Sequence, residues 1–494
     1  MSAASDTAAD KPDGFAQRPR YLRPGAWFVA VFAGALAVSA ALRLWELASR
    51  PGWQYDEGIY TRVAVNVMHG TLNEHITAGV PWQPFLFQPP FYFLALAKWF
   101  SITGPSLAHA RVLGVLIAVA TLGVLFALLW RIHGPAAAFS AGIPVIFDGW
   151  LLYIQRVSYM ENALLLIIVI GLLAYQTALA RGSWPWFVVA GLVLGFAVAF
   201  KQSGAYILLA VALCWLILRR RHKGHLLMLG SAVAVVAAYI AVMIRLYDIP
   251  GNDWYLQESL VQIRRVLALQ PSGGTLTSPT AFVHLISTQY RVFLPSLLMA
   301  LAACALAARR LWQCYRARGW QPLRGNALLF GWLAAGIVVF GVSALRFPQY
   351  FELILVPLYC FLWTEIHWWR WPASRKVALI AVAAAAGLGS FYLRVLTPND
   401  QVFTQVQRYA ATAIPRNGLV VTEEAFGDLI QQPWCRVEAA KPCVGSATYA
   451  ITWQTYLQSS FKLGGPAFHH LMRGAVPIKS FNGFNGSATV WRLK

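Results

Sequence analysis

Asp56 and Glu57 are adjacent carboxylates in Trp53-Gln54-Tyr55-Asp56-Glu57-Gly58-Ile59-Tyr60, within ten residues of the end of the first long apolar run. Ionisable groups beside a bilayer are costly, so they persist mainly where they pair with something or do chemistry. A carboxylate there can take the proton of an attacking hydroxyl, which makes Asp56 a candidate general base. Glu57 is placed to orient an acceptor or to hold a cation. Tyr60 lies one helical turn from Asp56, shares its face, and can donate to a phosphate or sugar oxygen. The plainer alternative for the acidic pair is a solvated cap before a surface helix.

Five cations belong with this pair: Arg156, Lys201, Arg264, Arg265 and Arg346. All fall in outer loops or at outer span ends, where the positive-inside tendency does not put them. Singly, each can snorkel to the interface. Together, on the side of Asp56 and Glu57, they point to a shared anionic ligand, and a phosphate fits because Lys and Arg bind it directly. Glu161 opens a span in Arg156-Val157-Ser158-Tyr159-Met160-Glu161-Asn162, where a carboxylate favoured by the helix dipole would pair with Arg156. Asp148 lies inside a span and either faces a cavity or bonds a neighbouring helix. Oxygen ligands of this kind suit Mg²⁺ or Mn²⁺, although nothing in the residues demands a metal.

The elements that must position these groups are membrane helices. The chain is 58% hydrophobic and 12% charged, against about 25% charged in a soluble domain. The net charge of +21 reflects basic loops that set topology, so nucleic acid is excluded as the partner. Eleven spans are expected: Trp27 to Leu47, Arg111 to Trp130, Ala136 to Ile154, Ala163 to Ala180, Trp186 to Phe200, Gly204 to Leu218, Leu226 to Leu246, Phe293 to Ala308, Ala327 to Leu345, Tyr350 to Trp363 and Val377 to Leu396. Phe85 to Phe100 is a twelfth apolar stretch. Were it to cross, Arg219-Arg220-Arg221-His222-Lys223, Arg309-Arg310 and Arg375-Lys376 would face outward, so it is assigned to the interface. Pro89-Pro90 near its start agrees with that.

The fold class is therefore an α-helical polytopic membrane protein with about 11 transmembrane helices plus interfacial helices. Residues 1–24 are expected as a disordered cytoplasmic tail, 25–398 as the membrane domain with its first outer loop at 49–108, and 399–494 as a small extracytoplasmic α/β domain. In that last domain Asp400 to Ile414 reads as an amphipathic helix, and Leu419 to Thr422, Thr448 to Thr452 and Ala488 to Trp491 read as strands. Cys435 and Cys443 lie close together in it, which in an oxidising compartment favours a disulfide. The placement is an integral plasma (inner) membrane protein with its N-terminus in the cytoplasm.

These residues resemble a family. Asp56-Glu57-Gly58-Ile59-Tyr60 after the first span resembles the Asp-Glu-x-x-Tyr signature of GT-C glycosyltransferases, on the branch holding protein O-mannosyltransferases and the lipid A aminoarabinose transferase. Gln88-Pro89-Pro90-Phe91-Tyr92-Phe93 is similar to the Lys/His-Pro-Pro-Leu segment of those enzymes, with Gln88 in place of the Lys or His. Gly191 to Lys201 resembles their glycine-spaced span ending in Lys. Arg346-Phe347-Pro348-Gln349-Tyr350 with Pro357 resembles their Arg-Tyr and Pro segment. The resemblance implies a GT-C fold and transfer of a sugar from a polyprenyl-phosphate donor to an extracytoplasmic hydroxyl, on a glycan, lipid or protein, with inversion. It implies Asp56 as base and Tyr60, Gln88, Lys201, Arg346 and Tyr350 as substrate-binding groups, to which Arg264 and Arg265 are added by their outer position. It also raises Glu161 as a metal ligand, since outer-loop acids bind a divalent ion in some GT-C enzymes.

A transporter or flippase of a lipid-linked or anionic substrate is the alternative from another class. It would be expected to show internal repeats and substrate groups near the middle of the membrane. No convincing repeat is found, and the candidate residues gather at one face.

Overall fold

A computed structural model describes residues 26–48, 50, 55–72, 88–218, 223–249, 252–253, 255–257, 259–260, 293–342, 350–396, 402–427, 430–437, 444–454, 460–464, 466–483 and 486–494. Helices dominate up to residue 396: α1 (Ala26–Leu44), α2 (Tyr55–Met68), α3 (Phe91–Thr103), α4 (Leu107–His133), α5 (Pro135–Ile146), α6 (Gly149–Ile154), α7 (Met160–Arg181), α8 (Trp184–Phe200), α9 (Tyr206–Leu218), α10 (Gly224–Tyr247), α11 (Leu294–Arg316), α12 (Ala327–Val342), α13 (Phe351–His367) and α14 (Ala373–Phe391). Over the described residues, each expected span falls largely on helix. Among the described residues five segments, Leu107–His133, Met160–Arg181, Gly224–Tyr247, Leu294–Arg316 and Ala373–Val395, are long and apolar enough to cross a bilayer by length and composition. Exposed Leu226, Val233, Val242 and Leu246 on α10 form the apolar exterior that lipid, unlike water, solvates.

Local chemistry sets the helix ends. The Ser106 hydroxyl accepts from the His109 N–H at 3.1 Å and so caps α4. Gly134, at φ 85°, takes the left-handed turn that ends α4, and Pro135 opens α5 at once. The span expected over Ala136 to Ile154 is two helices. Pro144 lies inside α5, and the chain breaks at Phe147-Asp148, where the Asp148 carboxylate accepts from the Leu151 N–H at 2.9 Å and caps α6. The Ser296 hydroxyl (2.5 Å) and the Tyr359 hydroxyl (2.6 Å) donate to its other oxygen. Asp148 thus bonds neighbouring helices, the second of the two roles open to it.

Helix α3 packs on α2 and α4. Its 13 residues reach only about 20 Å, short of the roughly 30 Å hydrocarbon layer. Helices α8 and α10 pack at close range. A Cβ on Gly191 would strike the Met228 carbonyl, and one on Gly195 the Ala232 carbonyl. Small residues one turn apart allow such an approach between membrane helices, and it fixes the end of α8 where Lys201 sits.

The C-terminal domain is α/β. Helix α15 (Val402–Ala413) packs on a sheet of β1 (Val420–Thr422), β2 (Trp434–Arg436), β3 (Tyr449–Gln454), β4 (Val476–Gly483) and β5 (Gly486–Arg492) in the order β2-β1-β3-β5-β4. β1 runs parallel to β2 and β3, and the other pairs are antiparallel. Phe403, Val406, Val420, Phe426, Ile451 and Val490 form its core. The short helix α16 (Glu424–Gly427) packs against α2 of the membrane domain.

Cys435 is disulfide-bonded; Cys443, its expected partner, lies outside the described residues. Cys214, Cys304, Cys314 and Cys360 are free thiols in the membrane helices. In spheroplasts, a membrane-impermeant thiol reagent is expected to label the C-terminal domain only after mild reduction. Labelling that requires a broken membrane would put this domain, and with it Asp56, on the cytoplasmic side.

Candidate active site

Glu57 is the fixed point of the site. Arg111, one turn into α4, donates from Nε to Oε1 at 2.8 Å and from Nη2 to Oε2 at 2.7 Å. The Ser158 backbone N–H adds a bond to Oε1 at 2.9 Å, and Arg111 Nη1 donates to the Leu47 carbonyl at 2.9 Å. Both side chains are 0% exposed. The fork of a guanidinium matches a carboxylate in this bidentate way, and a lysine would not. Of the two roles open to Glu57, holding a cation is the one its contacts fit, and the cation is Arg111. These bonds tie α2 to α4, to the end of α1 and to the turn before α7.

The arginines close by do similar work. Arg156 donates to the carbonyls of Leu42 and Trp45, and to that of Arg50 at 2.8 Å. Arg43 donates to Ser39, and to the Gln155 side chain at 2.7 Å. Sequence position made Arg156 a candidate anion ligand; its donors instead hold the backbone leading out of α1. The Tyr92 hydroxyl lies 2.7 Å from that of Ser158, and the Tyr60 ring packs edge-on to Tyr92 and Phe93.

Asp56 precedes Glu57 in the first turn of α2 and is half-buried. Tyr60 lies within Coulombic reach of Asp56, Glu161 and Tyr350. Burial, and then the Asp56 carboxylate, pushes the Tyr60 phenol well above its ordinary range, so it stays a neutral donor. Lys201 ends α8 in an extended conformation, with φ −157° and ψ 131°. Its N–H is bonded to the Ala197 carbonyl at 3.1 Å and its own carbonyl accepts from Gly204 at 2.7 Å. The ammonium lies 3.0 Å from Glu161 Oε1, with both residues buried. It sits 5.5 Å from the Tyr350 ring centroid, within reach of the Tyr350 hydroxyl and, Coulombically, of Asp56.

The structure therefore brings Asp56, Tyr60, Glu161, Lys201 and Tyr350 together. Gln88 is half-buried just before α3, and its Oε1 has no hydrogen-bond partner. Arg264, Arg265 and Arg346 lie outside the described residues. Among the described residues no cluster of three or more His, Cys, Asp or Glu is placed to hold a metal, and the cation beside Glu161 is Lys201. Arg111, Ser158, Tyr92 and Glu352 were not singled out from the sequence. Arg111 carried a signal: a cation one turn inside the hydrophobic stretch of α4 needs a counter-ion.

Removing one partner of a fully buried ion pair leaves the other uncompensated, at a cost of about 3–5 kcal/mol. Glu57→Gln and Arg111→Gln are each expected to lower the thermal stability of the detergent-solubilised protein on that scale. The double variant should lose less than the sum. Additive losses would show that the two side chains do not depend on each other.

The sequence profile of the family described as dolichyl-phosphate-mannose-protein mannosyltransferase matches residues 87–244, which include Gln88, Arg111, Glu161 and Lys201. No curated protein matches the chain. The crystal structure of ArnT from Cupriavidus metallidurans bound to undecaprenyl phosphate superposes with a TM-score of 0.60 at 14% identity, over 94% of this chain and 97% of that one. The Archaeoglobus fulgidus oligosaccharyltransferase, in the apo form, matches with a TM-score of 0.56 at 14% identity, over 87% of this chain and 70% of its own. Residues 87–244 thus carry the profile of that mannosyltransferase family, and the chain as a whole shares the fold of these two membrane transferases.

Proposed function

We propose that the protein transfers a sugar from a polyprenyl-phosphate donor to a hydroxyl of an extracytoplasmic acceptor, with inversion at the anomeric carbon. The observation that carries this reading is a half-buried carboxylate, Asp56, within Coulombic reach of a buried ammonium, Lys201. An inverting displacement needs a base on the acceptor side and positive charge on the leaving-group side. The acceptor oxygen forms its bond to the anomeric carbon as the bond from that carbon to the phosphate oxygen breaks. Asp56 takes the hydroxyl proton. The electron pair leaves on the polyprenyl phosphate, and Lys201 stabilises its growing charge, as fixed cations do at phosphoryl groups. Tyr60 donates a hydrogen bond to the phosphate or the sugar. Glu57 serves by holding α2, and so Asp56, in place. Arg346, Arg264 and Arg265 remain proposed phosphate ligands on sequence grounds, and Gln88 a proposed ligand of the donor head. The ArnT crystal structure with undecaprenyl phosphate supports a lipid phosphate as the donor class.

Asp56→Asn keeps size and removes the base. It is expected to lower transfer by about 10²–10⁴-fold while yield and donor binding stay near those of the parent. Turnover near the parent value in the purified variant would sink the assignment. A second outcome separates metal-dependent from metal-independent chemistry. Because an ammonium already neutralises Glu161, transfer is expected to persist in EDTA. A strict requirement for Mg²⁺ or Mn²⁺ would reassign Glu161 as a metal ligand.

A further inference from the structure

The two buried ion pairs of the site differ in kind. Glu57 is saturated by the Arg111 fork and the Ser158 N–H. Glu161 is not. It is 0% exposed, its one cation is the Lys201 ammonium 3.0 Å from Oε1, and its Oε2 has no hydrogen-bond partner. A second carboxyl, Glu352 in the first turn of α13, is also 0% exposed and within Coulombic reach of Glu161. Neither of its oxygens has a well-formed bond, although the Gln155 side chain lies against it. Arg43 is near Glu352, but its Nη1 and Nη2 donate to Ser39 and Gln155 and its Nε has no partner. One ammonium therefore stands between Glu161 on one side and Asp56 and Tyr350 on the other. Buried acceptors without formed bonds ask for an explanation, and a cation shared between Glu161 and Tyr350 already has more than one partner to exchange.

Sugar transfer from a lipid phosphate gives that freedom a use. The donor phosphate is a diester with one negative charge, whereas the product is a monoester that gains a second. Cations that stabilise the leaving phosphate therefore also bind the product more tightly than the donor, and tight product binding limits turnover. Resting on the proposed transfer reaction, we propose that Glu161 is the exchange partner of Lys201: it holds the ammonium in the empty site, yields it to the lipid phosphate, and reclaims it as polyprenyl phosphate leaves. Glu161 acts through Lys201 and touches no reacting atom, so it is a positioning residue. Its charge subtracts from the affinity of the site for phosphate, and that subtraction speeds release.

The test uses the full chain in nanodiscs, with undecaprenyl phosphate as the probe and donor turnover as a second readout. Glu161→Gln is expected to bind undecaprenyl phosphate about tenfold or more tightly than the parent, a change worth about 1.4 kcal/mol. Its kcat should fall while its KM for donor does not rise. Glu161→Asp draws the carboxylate back by one methylene and should fall between the two; it decides the matter if the Gln variant fails to fold. A merely structural role cannot tighten binding. If the parent binds the probe and the variants bind it equally or more weakly, the exchange is overturned and the donor reading stands. If the parent itself fails to bind the probe, the lipid-phosphate reading falls and the exchange falls with it.

Discussion

A charge buried among membrane helices must be met by another, and Glu57 with Arg111 is where this protein meets that demand. Desolvating either group alone costs several kcal/mol, so the pair forms in one arrangement or is lost. That arrangement joins α2 to α4 and, through Leu47 and Ser158, to the ends of α1 and α6. Successive residues on a helix point about 100° apart. Fixing Glu57 inward therefore sends Asp56 to a different side of α2, where it is half-buried. Of two adjacent carboxylates, one is held by the Arg111 fork while the other points to a different side of the helix.

Lys201 depends on a different constraint. Its ammonium can be placed only if α8 ends at one point, and α8 is seated by backbone contact. Gly191 and Gly195 lie against the carbonyls of Met228 and Ala232 on α10, with no room for a methyl group. The glycines and the lysine are thus parts of one device, in which close packing sets the height of the helix and its end sets the cation. Phe196 and Phe200 continue it on the other face, packing against Phe91 and Tyr92 of α3.

Much of this was legible in the order of residues. Apolar runs found the helices, because a bilayer leaves the backbone few other ways to satisfy its hydrogen bonds. Position put Asp56, Tyr60, Lys201 and Glu161 on one expected face, since each lies in an outer loop or at an outer span end. What could not be read was how donors and acceptors are shared. Arg111 began an expected span and Arg156 followed another, and nothing local says that the first forks onto Glu57 while the second binds three carbonyls. Those choices belong to the packing of α1, α4 and α7. The break at Asp148 was hidden for a similar reason: the hydroxyls that satisfy its buried carboxylate come from Ser296 and Tyr359, far along the chain. Glu352 passed unnoticed because a single acid opening a span looks like an ordinary helix-start residue.

The seating of α16 on α2 joins two domains at the helix that carries the base. Thermodynamic linkage makes such a joint reciprocal. Any acceptor or partner that prefers one seating of the C-terminal domain shifts the equilibrium position of α2 by the same factor that a donor, in fixing α2, shifts the affinity for that partner. The C-terminal sheet is thus part of the free-energy description of the site, although it contributes no residue to the proposed chemistry. Substitutions in its core would register as altered coupling between the two substrates before they registered as lost catalysis.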